Sequence, residues 1–412
     1  MTAVAPPPLL ADRAFRRYWA GLAVSAFGDA FAFVAYPLLV LDATGSVAAM
    51  GGVSAAAAVT ALVTGVVAGP IVDRSDRRRL MIACDLGRLA VFTLVPLVWW
   101  THGPSLPLLY FTLVIGSALG NVFSVAYVTA TPDLVDRARL TEANGKLQGS
   151  QALAFVLGPI LAGMVAAKVG SVWAIGIDAL TFGVSAISLA ALRLRREGRS
   201  VAAAGSSLDG VRFLWRQPEL FAVTVVFVVL ALLSSGTMAA GILDVLIFHL
   251  RNVEGAGDRA VGVALGLGAV GAVCGALAAA PLRRRFGFAP CFVGATAAQG
   301  AALALMGSGS GVLAVALATA VWTGGMSVRG VVTQTLRQEV TPEALLGRVT
   351  AAFWTVAAVL APAGAALVTR AAERWSTIVA FRGAGIGVLG VSVLAAALLR
   401  ARPRHVSALP AP

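Results

Sequence analysis

Charge is scarce in this sequence. Only 12% of its 412 residues are charged, about half of what a soluble domain carries, so a water-facing surface of that size cannot be clothed. Cysteine is scarcer still. Cys84, Cys274 and Cys291 lie in apolar stretches at no metal-ligand spacing, which argues against a disulfide framework and against a zinc or iron–sulfur site. They read as packed core thiols. Histidine is confined to His102, His249 and His405, none with the company that metal or general-base chemistry needs. No Gly-x4-Gly-Lys-Ser/Thr loop offers a seat for ATP, and the Gly-x-Ser-x-Gly and His-Glu-x-x-His patterns are absent. No catalytic residue, metal or cofactor is expected.

What the chain has instead is long apolar runs. Hydrophobic residues make up 58% of it, and the mean hydropathy is +0.87. Its 45 glycines follow no Gly-X-Y period and sit inside the apolar runs, where small residues let helices approach closely. A spanning helix needs about 20 mostly apolar residues. Twelve segments meet that demand, at 18–41, 47–72, 80–100, 106–130, 144–167, 171–192, 220–248, 258–282, 288–308, 311–336, 345–369 and 375–399. No signal-peptide pattern precedes the first. The expected fold class is an all-α polytopic membrane protein.

Arginine placement orients it. With the N-terminus inside, 24 of the 32 basic residues fall on the cytoplasmic side and only Lys168, Arg251, Arg259, Arg370 and Arg374 outside. That bias sets both termini in the cytoplasm and makes the basic surplus topological rather than a nucleic-acid footprint. The longest polar connection, 193–219, divides the chain into a six-helix bundle at 18–192 and another at 220–399, flanked by cytoplasmic segments at 1–17 and 400–412. An internal echo supports duplication. TPD at 131–133 precedes a helix with Pro159, TPE at 341–343 precedes one with Pro362, and GVVAGPIVDRSDRRRL has a counterpart in GALAAAPLRRRFG. Paired six-helix repeats suit alternating access.

The segment GPIVDRSDRRRL, Gly69 to Leu80, lies between the second and third spans. It resembles the Gly-x-x-x-Asp-Arg-x-x-Arg-Arg cytoplasmic loop of the major facilitator superfamily, with Gly69, Asp73, Arg74, Arg77 and Arg78 matching position for position. Physically, Gly69 permits a close helix approach, and Asp73 can accept from arginines or from the N-terminal amides of a neighbouring helix. The resemblance implies a latch that holds the cytoplasmic side closed. It covers residues 14 to 400. FRRYWAGLAVSAFGDAFAFVAYPLLV, DLGR at 85–88 and GRV at 347–349 look most like the drug-export branch with its macrolide efflux proteins and enterobactin exporters. PLRRRFG in the second half has no counterpart of Asp73, so the latch is expected to be asymmetric. The fifth helix partly resembles an antiporter pattern through Gly149, Gly158, Pro159 and Gly163. Its proline, like Pro37, Pro96 and Pro362, is equally compatible with a structural kink.

Seven charges stand where lipid should be. Asp29 lies twelve residues beyond Arg17, roughly 18 Å into the membrane. It reads either as a proton carrier or cationic-substrate ligand, or as a helix–helix hydrogen bond. Asp178, Asp244 and Arg382 are expected in the outward half, as cavity pairs or a gate. Arg329 is expected either to snorkel to the cytoplasmic surface or to bind an anion. Asp85 and Arg88, three apart, share a helix face and read as a network supporting the loop. Trp99, Trp100, Trp173 and Trp375 read as interface anchors; Trp322, Trp354, Phe31 and Tyr127 read as cavity lining.

The expected function is secondary active export of an amphipathic small molecule such as a drug, siderophore or specialised metabolite by proton antiport, with protonation of the buried Asp29 as the coupling step. Lipid-like substrates such as lysophospholipids are the neighbouring alternative, and a membrane sensor or enzyme the remote one. Alanine richness and only two lysines, Lys146 and Lys168, suit a high-GC bacterium and its cytoplasmic membrane. Expected partners are the substrate and membrane lipids, with a monomer as the working unit and a proton gradient as the drive.

Overall fold

In lipid a chain must satisfy its own backbone amides, and a helix does so within one segment. The computed structural model describes residues 8–44, 47–192, 208–234, 240–308 and 311–400, and they form helices and short turns with no strand among them. Parts of the N-terminal segment, the linker and the tail, with Arg193, Arg195, Arg196, Arg199, Arg402, Arg404 and His405, lie outside the described residues. The helices of the first sequence half are α1 (Arg13–Thr44), α2 (Val47–Arg74), α3 (Arg77–His102), α4 (Leu106–Ala130), α5 (Leu140–Val169) and α6 (Ser171–Ala190). A short α7 (Leu208–Arg216) leads into α8 (Pro218–Ser234) and α9 (Ala240–Asn252). The remainder are α10 (Asp258–Phe286), α11 (Phe288–Met306), α12 (Val312–Val340), α13 (Leu346–Val359), α14 (Ala361–Arg374) and α15 (Thr377–Arg400).

Among the described residues, nine helices are long and apolar enough to cross a membrane: α1, α3 to α6, α10 to α12 and α15. A tenth is counted only if α7 and α8, which are bent by 105° at their junction, are taken together as one span. Two expected spans are each carried by a pair of helices. The seventh comprises α8 and α9, with 235–239 outside the described residues. The eleventh breaks at Leu360, between α13 and α14, where Pro362 sits in the new first turn. That is the position where a missing N–H costs a helix least. Pro37, Pro96 and Pro159 lie inside helices that continue through them. The narrow join between the fifth and sixth spans is one residue, Gly170, at φ 94°, a left-handed conformation that favours glycine.

The chain divides into two compact units, Met1–Val211 with Arg337–Thr355, and Arg212–Leu336 with Val356–Pro412. In the first, α1 packs on α5 and α6, and α3 packs on α4 and α6. Phe92 forms its aromatic centre, with ring centroids 5.7 Å from Tyr36 and 5.6 Å from Phe182. Tyr36 donates its hydroxyl proton to Thr112 Oγ1 at 3.0 Å. Trp100 and Trp173, both exposed, meet edge to face at 5.1 Å, in keeping with an interfacial belt.

In the second unit α11 and α15 meet backbone to backbone. A Cβ on Gly300 would fall 2.8 Å from Leu389 N, and one on Gly385 would fall 2.7 Å from Gly300 O. Gly271 and Gly275 lie equally close to the backbones of Ala320 and Gly324 on α12. Gly385→Val is therefore expected to cost about 1–3 kcal/mol by overpacking, read as a lowered midpoint in detergent-solubilised thermal unfolding. Gly163→Ala, where nothing lies within 4 Å, should leave that midpoint unchanged or raised.

Candidate functional site

Four charged side chains converge in the first unit from three helices: Asp29 on α1, Asp85 and Arg88 on α3, and Asp178 on α6. Arg88 is the hub. Its Nη2 donates to Asp85 Oδ1 at 2.6 Å and its Nη1 to Asp29 Oδ1 at 3.4 Å. Its guanidinium also lies between two rings, 4.0 Å from the Phe182 centroid and 4.7 Å from that of Phe123. Cation–π contact is strongest where water is excluded, and Arg88 and Asp85 are both buried. Asp29 differs, since 55% of its side chain is exposed.

That exposure opens onto a cavity of about 580 Å³ within the unit. Asp29 and Arg88 share its wall with Tyr36, Phe92, Asn121 and Tyr127. The combination is an aromatic surface carrying one accessible carboxylate, which suits an amphipathic ligand with a polar group. Asp178 stands behind the wall. It is wholly buried, close enough to Asp29 for their charges to repel, and Gly28 leaves room for it, because a Cβ there would strike Asp178 and Thr181. Its Oδ2 has no hydrogen-bond partner among the described residues.

One expectation is corrected by this geometry: Arg88 does not serve the loop alone with Asp85, but also reaches from α3 to Asp29 on α1. Asp178, expected as a cavity pair or a gate, stands beside Asp29. Phe31 belongs to the packed core rather than the wall, whereas Tyr127 does line the cavity. Gly158 packs directly on Ala30 of α1, while Gly163 faces open space and Gly149 is buried in α5.

At the end of α2 the loop forms a second polar centre. Gly69 brings the backbones together, since a Cβ there would lie 2.6 Å from Arg348 Cα. The buried Asp73 carboxylate accepts from Gly347 N at 2.8 Å and Arg348 N at 3.1 Å, and Arg348 Nε lies 3.4 Å from it. Those amides belong to the first turn of α13, so Asp73 acts as an N-cap supplied from another segment. Arg77 binds Asp133 at 2.9 Å, the carbonyl of Thr129 at 2.8 Å and that of Glu343 at 3.2 Å. Arg78 donates to the carbonyls of Leu189 at 2.9 Å and of Ala190, at the end of α6. Cations belong at that end of a helix. Arg74 is exposed.

In the second unit Arg329 does not snorkel. It is 3% exposed, with its guanidinium 4.3 Å from the Phe227 ring centroid, and its Nε and Nη1 have no hydrogen-bond partner among the described residues. Arg382 is exposed beside Gly307. Asp244 falls in α9, and its side chain, like that of Pro362, lies outside the described residues. His249 has more company than its sequence context suggested. It is fully buried, its Nδ1 2.7 Å from Thr377 Oγ1 and its Nε2 3.5 Å from Glu254. Cys274 is exposed rather than packed in a core, and lines an apolar cavity of about 530 Å³. No group of three potential metal ligands occurs among the described residues.

A family model described as Major Facilitator Superfamily matches residues 18–365. The chain belongs to that superfamily. Its long apolar helices are those of a multi-pass membrane protein of that superfamily. The multidrug efflux pump Tap of Mycobacterium tuberculosis is 32% identical over 204 residues, covering 47% of this chain and 48% of the relative. Macrolide efflux protein A of Streptococcus pyogenes is 29% identical over 222 residues, covering 52% and 54%. Each match spans about half the length of the relative. Among solved structures, the human organic anion transporter MFSD10 superposes with a TM-score of 0.74 at 16% identity, covering 95% of this chain and all of that one. A bacterial homologue of the iron transporter ferroportin in an outward-facing state gives 0.72 at 16% identity, covering 94% and 99%. At such identity the likeness is one of fold.

Sequence reading placed Asp29 and the Asp85–Arg88 pair but did not join them, because spacing along a helix says nothing about which helices face each other. Phe182, Phe123 and Asn121 gave no signal beyond ordinary apolar or small polar composition. Arg88→Met is expected to destabilise the protein by about 3–5 kcal/mol, since it strands buried Asp85 without a counter-charge. Asp85→Asn in the Arg88→Met background should recover most of that loss. Thermal unfolding of the two variants in detergent checks it; an Arg88→Met protein that unfolds like wild type would refute the pairing.

Proposed function

We propose that this superfamily member exports amphipathic small molecules of the drug or specialised-metabolite kind, by alternating access coupled to inward proton movement. Both termini face the cytoplasm in this reading, and no cofactor is used. The carrying observation is the accessible Asp29 carboxylate, joined to Arg88 in the wall of an aromatic cavity. The names of the two efflux relatives support the direction and the substrate class.

Charge bookkeeping supports the coupling. Asp29, Asp85 and Asp178 surround one guanidinium, so the fully ionised cluster carries two excess negative charges in a medium of low dielectric. Taking up one proton relieves that cost, and so does binding a cationic group; the two events compete for the same carboxylate. Competition of this kind exchanges substrate for proton across a cycle. Asp73 supplies the conformational element. Its bonds to the first turn of α13 hold while the loop side is shut and are exchanged for water when it opens.

Proteoliposome flux under an imposed pH gradient tests the coupling. Cationic dyes, macrolides, catecholate siderophores and lysolipids form the panel. Wild-type flux should follow the gradient, and Asp29→Asn should abolish the gradient dependence while the protein stays folded. Unchanged flux in that variant would remove Asp29 from the coupling step. For the latch, Asp73→Ala should weaken the α13 cap by about 1 kcal/mol, seen as faster hydrogen exchange at Gly347 and Arg348. Equal exchange would separate Asp73 from the motion.

A further inference from the structure

The short helix α7 has a composition that neither the cavity nor the loop explains. It turns from α8 by 105°. A helix at that angle to a membrane-crossing segment runs along the bilayer surface rather than through it. Its two faces are distinct. Gly210 and Leu214, four apart, are buried, whereas Leu208, Arg212, Trp215 and Arg216 are exposed, Leu208 at 67% and Trp215 at 56%. Trp215 is held at the bend by Phe221, ring centroids 5.2 Å apart. Tryptophan and leucine beside arginine on one exposed face is the composition of an interfacial helix, with its rings at headgroup depth and its cations among phosphates. Four further arginines, Arg193, Arg195, Arg196 and Arg199, precede it in the sequence.

The buried face leads to the latch. Asp209 Oδ2 lies 3.5 Å from Arg348 Nη1, and Gly210 is pressed so closely on the Arg348 backbone that a Cβ would overlap its carbonyl. Arg348 is the residue whose amide and guanidinium meet Asp73. Arg348 is thus shared between two carboxylates, one from the loop and one from α7.

We infer that α7 seats on anionic phospholipid headgroups of the adjoining leaflet, and that this seating steadies the Asp73–Arg348 contact through Asp209 and Gly210. Phosphates draw Arg212 and Arg216 to the surface, which fixes the helix on which Asp209 is carried. Zwitterionic headgroups lack the net charge to do so. Lipid seating stands on the geometry of α7 alone; only its bearing on transport rests on the proposed function.

The test uses the full chain in nanodiscs of phosphatidylcholine alone or with phosphatidylglycerol. Quenching by brominated acyl chains is measured for wild type and Trp215→Phe, whose difference isolates Trp215. The Trp215 share should rise with phosphatidylglycerol, fall at high salt, and fall in Arg212→Gln/Arg216→Gln, with the lipid preference dropping about fivefold per arginine. Hydrogen exchange at Gly347 and Arg348 is read in parallel. It should slow with phosphatidylglycerol in wild type and lose that response in Asp209→Asn, whose Trp215 quenching stays lipid-dependent. Equal quenching in both bilayers, or the same effect from inorganic phosphate in phosphatidylcholine, overturns the lipid surface. Exchange in Asp209→Asn that still follows the lipid overturns the link to the latch. Neither readout requires flux, so failure of the transport panel would count against the exporter reading and leave this result standing.

Discussion

An ion inside a bilayer must meet its opposite, and in a chain with so few charges that requirement decides which helices touch and where. Arg88 ties α3 to α1 because the alternative is a bare guanidinium beside bare carboxylates. Asp73 ties the end of α2 to the start of α13 by the same necessity, with helix amides doing part of what a cation would do. Where an acid is missing, ring faces stand in. Arg329 lies over Phe227, and Arg337, wholly buried, lies 4.0 Å from the Phe353 centroid and 5.2 Å from that of Trp354. A quadrupole is a weaker partner than a carboxylate, and some nitrogens of both arginines stay unbonded among the described residues.

The polar centres of the first unit differ in a way that matches the roles proposed for them. At Asp73 the carboxylate is closed in, two amides and a guanidinium using most of its capacity. At Asp29 a single long contact leaves most of the carboxylate facing a cavity. A saturated acid suits a contact that is either made or broken. An unsaturated one suits an acid that takes and gives up a ligand.

Legibility in the sequence followed the range of the physics. The apolar lengths marked the helices, because a span depends on its own residues. The Asp73 loop was readable for the same reason; Gly69, Asp73 and Arg77 act at fixed spacing about the short join between α2 and α3. Its partner was foreseen only by type, as helix amides or arginines, and the structure supplies both from Arg348. The Asp29–Arg88–Asp178 cluster was out of reach, since it is made by three helices whose facing directions no spacing encodes. The burial of Arg337 against the rings of Phe353 and Trp354 had no sequence signal, because those rings lie on another helix. The same holds for His249, whose closest partner, Thr377, is 128 residues away.

The glycine contacts between α11 and α15 have a mechanical meaning. Helices that meet through long side chains can slide, because each chain changes rotamer and lets its neighbour pass. Gly300 and Gly385 have no rotamers to change, and the two backbones touch with nothing between them. Slip along that seam would have to lift the helices apart, so the pair behaves as one stiff beam.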